Sequence, residues 1–183
     1  MTASEKYSHD IYDVPSPFLV ENIDLLPRGR ALDIAMGFGR NSVYLAKMGF
    51  TVEGVDISSE AVRQARELAR QNSVTIQALE VDLEKDHYIQ PENYDVIICF
   101  NYLQRSLFPL IKAGLKAGGV IVYETFIIDQ ARLGHPRNPD YLLHYNELLN
   151  LFRDFRCLRY REGLIDGKAI AGLIAEKNKP ILY

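Results

Sequence analysis

The sequence predicts an α/β fold, a single doubly wound domain whose mostly parallel seven-stranded sheet ends in an antiparallel C-terminal hairpin strand. Three observations carry this. Strand-like and helix-like runs alternate from Arg30 to Phe126, which calls for parallel strands with helices on both faces. Tyr94–Phe100 is nearly continuously apolar, as a central strand covered on both sides must be. An Asp166-Gly167 pair separates two closing strand-like runs, a hairpin signal.

The elements follow in order. Residues 1–29 read as an N-terminal extension and one helix covering the pocket, punctuated by Pro15 and Pro17, with Phe18, Leu19, Ile23 and Leu26 as its apolar face. Residues 30–183 form the ligand-binding domain. Its first strand is Arg30–Ile34, its first helix Asn41–Lys47, closed by Gly49, and its second strand Thr51–Val55. In a second helix, Ser59–Gln71, residues Ala61, Val62, Ala65, Leu68 and Ala69 share one face. Ser58 or Ser59 suits its N-cap and Glu60 its positive end. Val74–Val81 reads as strand three and Tyr94–Phe100 as strand four. A helix over Leu107–Lys116, stopped by Gly118 and Gly119, precedes strand five, Val120–Phe126. Residues 127–144 are rich in Pro, Gly, Asn and charge, and a loop of that length is often functional. A helix resumes at Leu148, Leu149 and Phe152, and two strands, Phe155–Tyr160 and Lys168–Glu176, close the chain.

Composition narrows the function. One domain with a full core fits 183 residues. The net charge is −3, and the absence of a clustered Lys/Arg block speaks against a nucleic-acid partner. No apolar run reaches membrane-spanning length, and MTASEKYSHD lacks an apolar leader segment. Cys99 and Cys157 read as reduced, buried thiols, and the localisation as cytoplasmic. No pattern encodes an oligomeric state. His87 reads as a surface residue, and HPRNP at residues 135–139 as a turn rather than a metal site, since no second His or Cys shares its spacing.

The run LDIAMGFGRNS, residues 32–42, carries the chemistry. A strand turns through Gly37 and Gly39 into a helix, and such a loop lets backbone approach a ligand. It is not a dinucleotide fingerprint, because Ser42 occupies the third glycine position. Asp33 precedes the loop, Asp56 ends the second strand and Asp82 the third. Acids beside the loop suit the ammonium and sulfonium of S-adenosylmethionine better than a pyrophosphate. Asp56 lies 17 residues beyond Gly39, close to the spacing at which an acid binds ribose hydroxyls. A carboxylate accepts two hydrogen bonds at once, matching a vicinal diol. Asp82 can accept from the adenine amino group while the next backbone N–H serves a ring nitrogen. Asn101, Tyr102 and Leu103 end strand four, where ligands of such sheets bind.

These segments resemble the class I S-adenosylmethionine-dependent methyltransferases, and within them the small tellurite-resistance-type (TehB-like) group. The likeness runs from about Pro15 to Glu176 and is strongest over residues 15–58, VDLE, FNYLQRS, LKAGGVIVYETF and GHPRNPDYLL; GRNS after the glycine loop is typical of the group. The resemblance implies a Rossmann-like methyltransferase domain using S-adenosylmethionine and releasing S-adenosylhomocysteine. It implies that Asp33, Gly37 and Gly39 frame the methionine part, with Ala35 and Asn41 in the same cofactor set. Asp56 would hold the ribose, Ile57 lie beside the adenine, Asp82 and Leu83 bind its edge, and Asn101 meet the methionine end through its backbone. Ala35 stands where the group has glycine, and Met36 where it has a smaller residue. A positive φ at Ala35 would strain the loop; otherwise its methyl only trims the space.

Methyl transfer is an in-line displacement on an activated donor, and positioning can supply roughly 7–11 kcal/mol of its barrier. A base is needed only for an acceptor protonated at working pH. Acceptor-contact candidates are Tyr12, Arg105, His135 and Arg137, with His9, Asn138 and Tyr141 beside them; Glu124 faces either the pocket or a Lys. Arg105 and Arg137 could fork onto an anion. The expected acceptor is a small molecule: a thiol, a chalcogen oxyanion or a metabolite. Two alternatives are a non-catalytic S-adenosylmethionine/S-adenosylhomocysteine-binding regulatory protein and an NAD-type oxidoreductase.

Overall fold

The computed structural model describes residues 14–86 and 88–179. The chain divides into two compact units, Met1–Tyr88 and Ile89–Tyr183.

In the first unit the expected N-terminal helix is two short pieces, α1 (Pro17–Val20) and a 3-10 turn, Ile23–Leu25. The Asn22 side chain donates to the Phe18 carbonyl at 2.9 Å, between the two pieces. Phe18, Leu19 and Leu26 are buried, and Ile23 is half-buried. Then follow β1 (Arg30–Ile34), α2 (Arg40–Lys47), β2 (Thr51–Asp56), α3 (Ser59–Gln71) and β3 (Gln77–Glu80). Ser58 Oγ accepts the Ala61 N–H at 3.2 Å, a side-chain N-cap. The buried face of α3 is Ala61, Val62, Ala65 and Ala69, with Leu68 only half-buried. The third strand is shorter than Val74–Val81. Ser73 turns at φ 55° and the Val74 N–H bonds back to the Ala69 carbonyl at 3.0 Å, so the start of that run finishes the helix. β2 pairs in parallel with β1 and with β3.

The second unit contains β4 (Tyr94–Phe100), a 3-10 turn (Arg105–Leu107), α4 (Phe108–Gly114) and β5 (Leu115–Phe126). The helix expected over Leu107–Lys116 thus stops at Gly114. A Cβ there would lie 2.5 Å from Ile89 Cγ2. The Ala113 and Gly114 carbonyls accept from the Glu92 and Asn93 N–H groups. Gly118 and Gly119 lie inside β5, where Gly118 has φ 79° and the β4 pairing skips register between Tyr94 and Val96; they kink a strand rather than end a helix. The segment after β5 holds α5 (Gln130–Leu133) and a 3-10 turn, Pro139–Tyr141, and is followed by α6 (Glu147–Leu151). β6 (Arg156–Ile165) and β7 (Lys168–Glu176) form the closing hairpin across Asp166 (φ 50°) and Gly167 (φ 76°), so β6 runs five residues beyond the expected Tyr160 end. β7 is antiparallel to both β5 and β6. Phe108 stacks on Tyr123 at 5.2 Å and meets the edge of Phe152 at 5.6 Å.

The sheet order is β3-β2-β1-β4-β5-β7-β6, seven strands, mostly parallel, with the antiparallel C-terminal pair that the sequence predicts. Cys99 is buried as expected, but Cys157 is exposed. It lies on the last strand of the sheet order, at a register shift between Cys157 and Arg159. Among the described residues no helix is long and apolar enough to cross a membrane, and no cluster of His, Cys, Asp or Glu could hold a metal ion.

Candidate functional site

The glycine loop of the first unit is built on three left-handed residues, Ala35 (φ 53°), Gly37 (φ 56°) and Gly39 (φ 84°). Hydrogen bonds fix it at both ends. Met36 N–H donates to the Val55 carbonyl at 3.0 Å, and Gly39 N–H closes a turn onto the Met36 carbonyl at 3.1 Å. The two glycines serve different ends. A Cβ on Gly39 would lie 2.7 Å from Ala65 Cβ, so this glycine lets α2 start hard against α3. Among the described residues a Cβ on Gly37 would meet nothing within 4 Å, so these residues leave room beside its backbone for a ligand. Ala35 therefore does need a positive φ, and the loop is strained at that residue. Met36 points inward, where its sulfur covers Gly54 and it packs with Val62, Ala65 and Ala78.

Asp56, at the end of β2, is the keystone. One carboxylate oxygen accepts the Gly37 N–H and the other the Ser58 N–H, each at 2.9 Å. The same side chain thus ties the loop to the start of α3, while each oxygen keeps capacity for a second donor. Ser58, not Asp56, caps the helix. Beside it Ile57 is 64% exposed, an apolar side chain open to a flat ligand. Asp82 pairs with Lys85 at 2.7 Å and accepts the Glu84 N–H at 3.1 Å; the bond from Lys85 holds its carboxyl below the usual range. Leu83 is buried.

Two members of the expected cofactor set are turned to other work. Asp33 is 2% exposed and accepts the Ser42 hydroxyl at 2.6 Å. Burial raises its carboxyl to about 7, opposed by the Ser42 hydrogen bond. It braces the loop from within and offers no open surface to a ligand. Asn41 is buried and its amide oxygen accepts the Ser16 N–H at 2.8 Å, so it anchors the N-terminal segment. Ser42 was legible only as a failed third glycine; its hydroxyl is what Asp33 needs.

In the second unit, Asn101 follows β4 with φ 56° and lies exposed, its N–H committed to the Glu124 carbonyl at 2.9 Å. Only its carbonyl and side chain remain for a ligand. The Tyr123 hydroxyl donates to the Tyr102 carbonyl at 2.8 Å, fixing the turn that follows. Glu124 pairs with Arg161 at 2.6 Å, across Gly172, which lies between them in register. Arg105 is no free anion fork, since its guanidinium holds Glu147 and the carbonyls of Asp140 and Leu142. His135, Arg137 and Tyr141 are exposed. Asn138 accepts the Asp140 N–H at 3.1 Å as a turn cap. Tyr12, His9 and His87 lie outside the described residues. Glu147 carried no signal in the sequence, because its partner stands 42 residues away.

Known proteins share part of this sequence and its fold. A family model described as a methyltransferase domain matches residues 31–119. A ubiquinone biosynthesis O-methyltransferase from Actinobacillus pleuropneumoniae is 32% identical over 107 residues, 52% of this chain and 45% of that protein. The chain spans about half the length of the curated relatives it matches. Among solved structures, TehB from Haemophilus influenzae superposes with a TM-score of 0.76 at 23% identity, covering 87% of this chain and 61% of that one. An S-adenosylmethionine-dependent methyltransferase from Clostridium acetobutylicum superposes at 0.72 with 16% identity, over 97% of this chain and 100% of that one.

Proposed function

We propose that this chain is a class I S-adenosylmethionine-dependent methyltransferase, as the matching methyltransferase-domain model and the likeness in fold support, and that it transfers the methyl group of S-adenosylmethionine to a small-molecule acceptor and releases S-adenosylhomocysteine. The observation that carries this is the loop at Gly37, which the described residues leave open and the Asp56 carboxylate holds. Bound S-adenosylmethionine supplies an already activated sulfonium methyl. The chain's own part is to bind and orient. Asp56 has capacity for ribose hydroxyls beyond the two amides it accepts. Ile57 presents an apolar face to the adenine, and Asp82, with the Leu83 backbone, its polar edge. The buried Asp33–Ser42 pair keeps the loop in shape rather than touching the ligand.

A thiol, a chalcogen oxyanion and a hydroxyl-bearing metabolite are the acceptor classes we favour. The first two follow from the tellurite-resistance-type resemblance, and the third from the O-methyltransferase relatives. A small acceptor in the cytoplasm suits a chain with no basic block. Calorimetric titration with S-adenosylmethionine, S-adenosylhomocysteine and NADH tests the donor. Release of S-adenosylhomocysteine with selenite, dithiothreitol or 3,4-dihydroxybenzoate then tests transfer. Saturable adenosyl binding without NADH supports the reading, and NADH binding alone sinks it. The non-catalytic alternative draws on one observation: Arg105, a candidate acceptor contact, is already committed to protein partners. Turnover with any acceptor removes it.

A further inference from the structure

The segment after β5 has no long element of its own, yet it is tightly fastened. At its start the Ile128 N–H donates to the Leu143 carbonyl at 3.0 Å, and the Leu143 N–H to the Phe126 carbonyl at 2.9 Å. Buried Gln130 donates to the His135 carbonyl at 3.0 Å and accepts the Ala169 N–H at 2.8 Å, tying the first turn to β7. At its far end stands Arg105, which belongs to a different stretch of chain, the exit of β4. Its Nε and Nη2 donate to the two carboxylate oxygens of Glu147 at 2.6 and 2.9 Å. Nη1 donates to the Asp140 carbonyl at 3.0 Å, and Nη2 also to the Leu142 carbonyl at 2.9 Å. Glu147 in turn accepts the His144 N–H at 2.7 Å. A planar fork of five donors is suited to such a knot, and a lysine is not.

The placement of this knot matters more than its strength. The Arg105 side chain is 39% exposed and that of Glu147 17%, so the pair adds little to global stability as an ion pair. What it does is join two loops, the one leaving β4 and the one leaving β5. In sheets of this kind ligands bind outside the carboxyl ends of the strands, so these two loops are where an acceptor must be held. The same segment carries exposed Leu133 and Tyr141.

We propose that Arg105 and Glu147 are positioning residues for the acceptor: they clamp residues 140–147 to the exit of β4, and the acceptor is captured by the surface so fixed. The proposal rests on the methyl-transfer reading above. Neither residue touches the reacting atoms, so the signature is a split between kinetic constants.

The test compares wild type with Arg105→Ala, Arg105→Lys and Glu147→Gln. Binding of S-adenosylmethionine is measured by calorimetry and S-adenosylhomocysteine release with the best of selenite, dithiothreitol and 3,4-dihydroxybenzoate. Amide hydrogen exchange is followed over residues 140–147. For Arg105→Ala, S-adenosylmethionine affinity should stay within about twofold, the KM for the acceptor should rise about tenfold or more, and exchange at Leu142 and His144 should accelerate. Lysine should restore little and glutamine part. Faster exchange with an unchanged acceptor KM would overturn the proposal, as would a parallel loss of S-adenosylmethionine affinity and melting temperature. If wild type binds the donor but turns over no probe, the transfer reading has failed for those acceptors. The clamp is then judged by exchange, and unprotected 140–147 amides in wild type overturn it.

Discussion

Replacing Ala35 with glycine should stabilise the protein. Ala35 sits at φ 53°, where an L-residue with a Cβ loses ~1–2 kcal/mol relative to the right-handed region. Glycine removes that strain and gives back ~0.4–1 kcal/mol through the greater freedom of the unfolded chain. The difference is a net gain of roughly 0.5–1 kcal/mol. For a chain of this size it should raise Tm by roughly 1–4 °C and move the urea midpoint up by about 0.2–0.5 M with an unchanged slope. Donor affinity separates two effects of the same methyl. If the methyl also narrows the binding space, Ala35→Gly tightens S-adenosylmethionine binding; if it only strains the chain, affinity holds. The neighbouring glycines calibrate the argument. Gly37→Ala meets no atom of the described residues within 4 Å and should lose only the left-handed penalty of ~1–2 kcal/mol less the ~0.4–1 kcal/mol gained through the unfolded chain. Gly39→Ala adds a 2.7 Å approach to Ala65 Cβ, and overpacking brings a further ~1–3 kcal/mol. A lower Tm for Ala35→Gly, or equal losses at Gly37 and Gly39, would refute this account of the loop.

Three further outcomes follow from the same geometry. Burial lifts Asp33 from an ordinary 3.8 to about 7, so between those values the folded chain binds a proton that the unfolded chain has released, and stability falls as pH rises through that window. Asp33→Asn keeps an acceptor for Ser42 without the charge; its Tm should gain on wild type as pH rises from about 4 to about 7 and then level off, and a pH-independent difference would show that Asp33 does not titrate there. Asp56→Ala removes the acceptor for both the Gly37 and Ser58 N–H groups, each charge-assisted bond being worth ~1.5–3 kcal/mol. It should abolish measurable donor binding in calorimetry and lower Tm; full affinity in the variant would show that the loop stands without its tether. Thiol titration should find one fast cysteine, Cys157, and one that reacts only on unfolding, Cys99. Cys157→Ser should erase the fast phase, and its survival would put Cys99 within reach of solvent.

Much of the fold was legible because its signals are local. The second helix, Ser59–Gln71, is set by a capping serine and an apolar face at helical spacing, and the structure ends it where those signals end. Strand four was read to its limits because a nearly continuous apolar run leaves little other choice. The errors fall where a local signal has two physical meanings. Gly118 and Gly119 announce a break, and whether it ends a helix or kinks a strand depends on the partner strand. Val74 has strong strand propensity, yet its N–H is taken by the carbonyl of Ala69. Cys157 belongs to an apolar-looking hairpin whose burial is decided by its place in the sheet order, which no short window contains.

The candidate site divides along the same line. The proposed donor side is read from two short stretches, because Gly37 and Asp56 lie 19 residues apart in one strand–helix–strand turn of the chain, where a left-handed backbone favours glycine and the strand end presents an acid to its N–H. Even so, residue type did not fix residue role. Asp33 and Asn41 look like ligand contacts in sequence, and both are spent on holding the loop and the chain leading to it. The proposed acceptor side depends on contacts such as Arg105 to Glu147 across 42 residues, half of them made to backbone carbonyls that any residue would supply. A partner that is a carbonyl leaves no mark on the residue that owns it. On the proposed reading the donor side is written in local motifs, and the acceptor side in how two loops are fastened together; the Arg105 variants are where that difference becomes measurable.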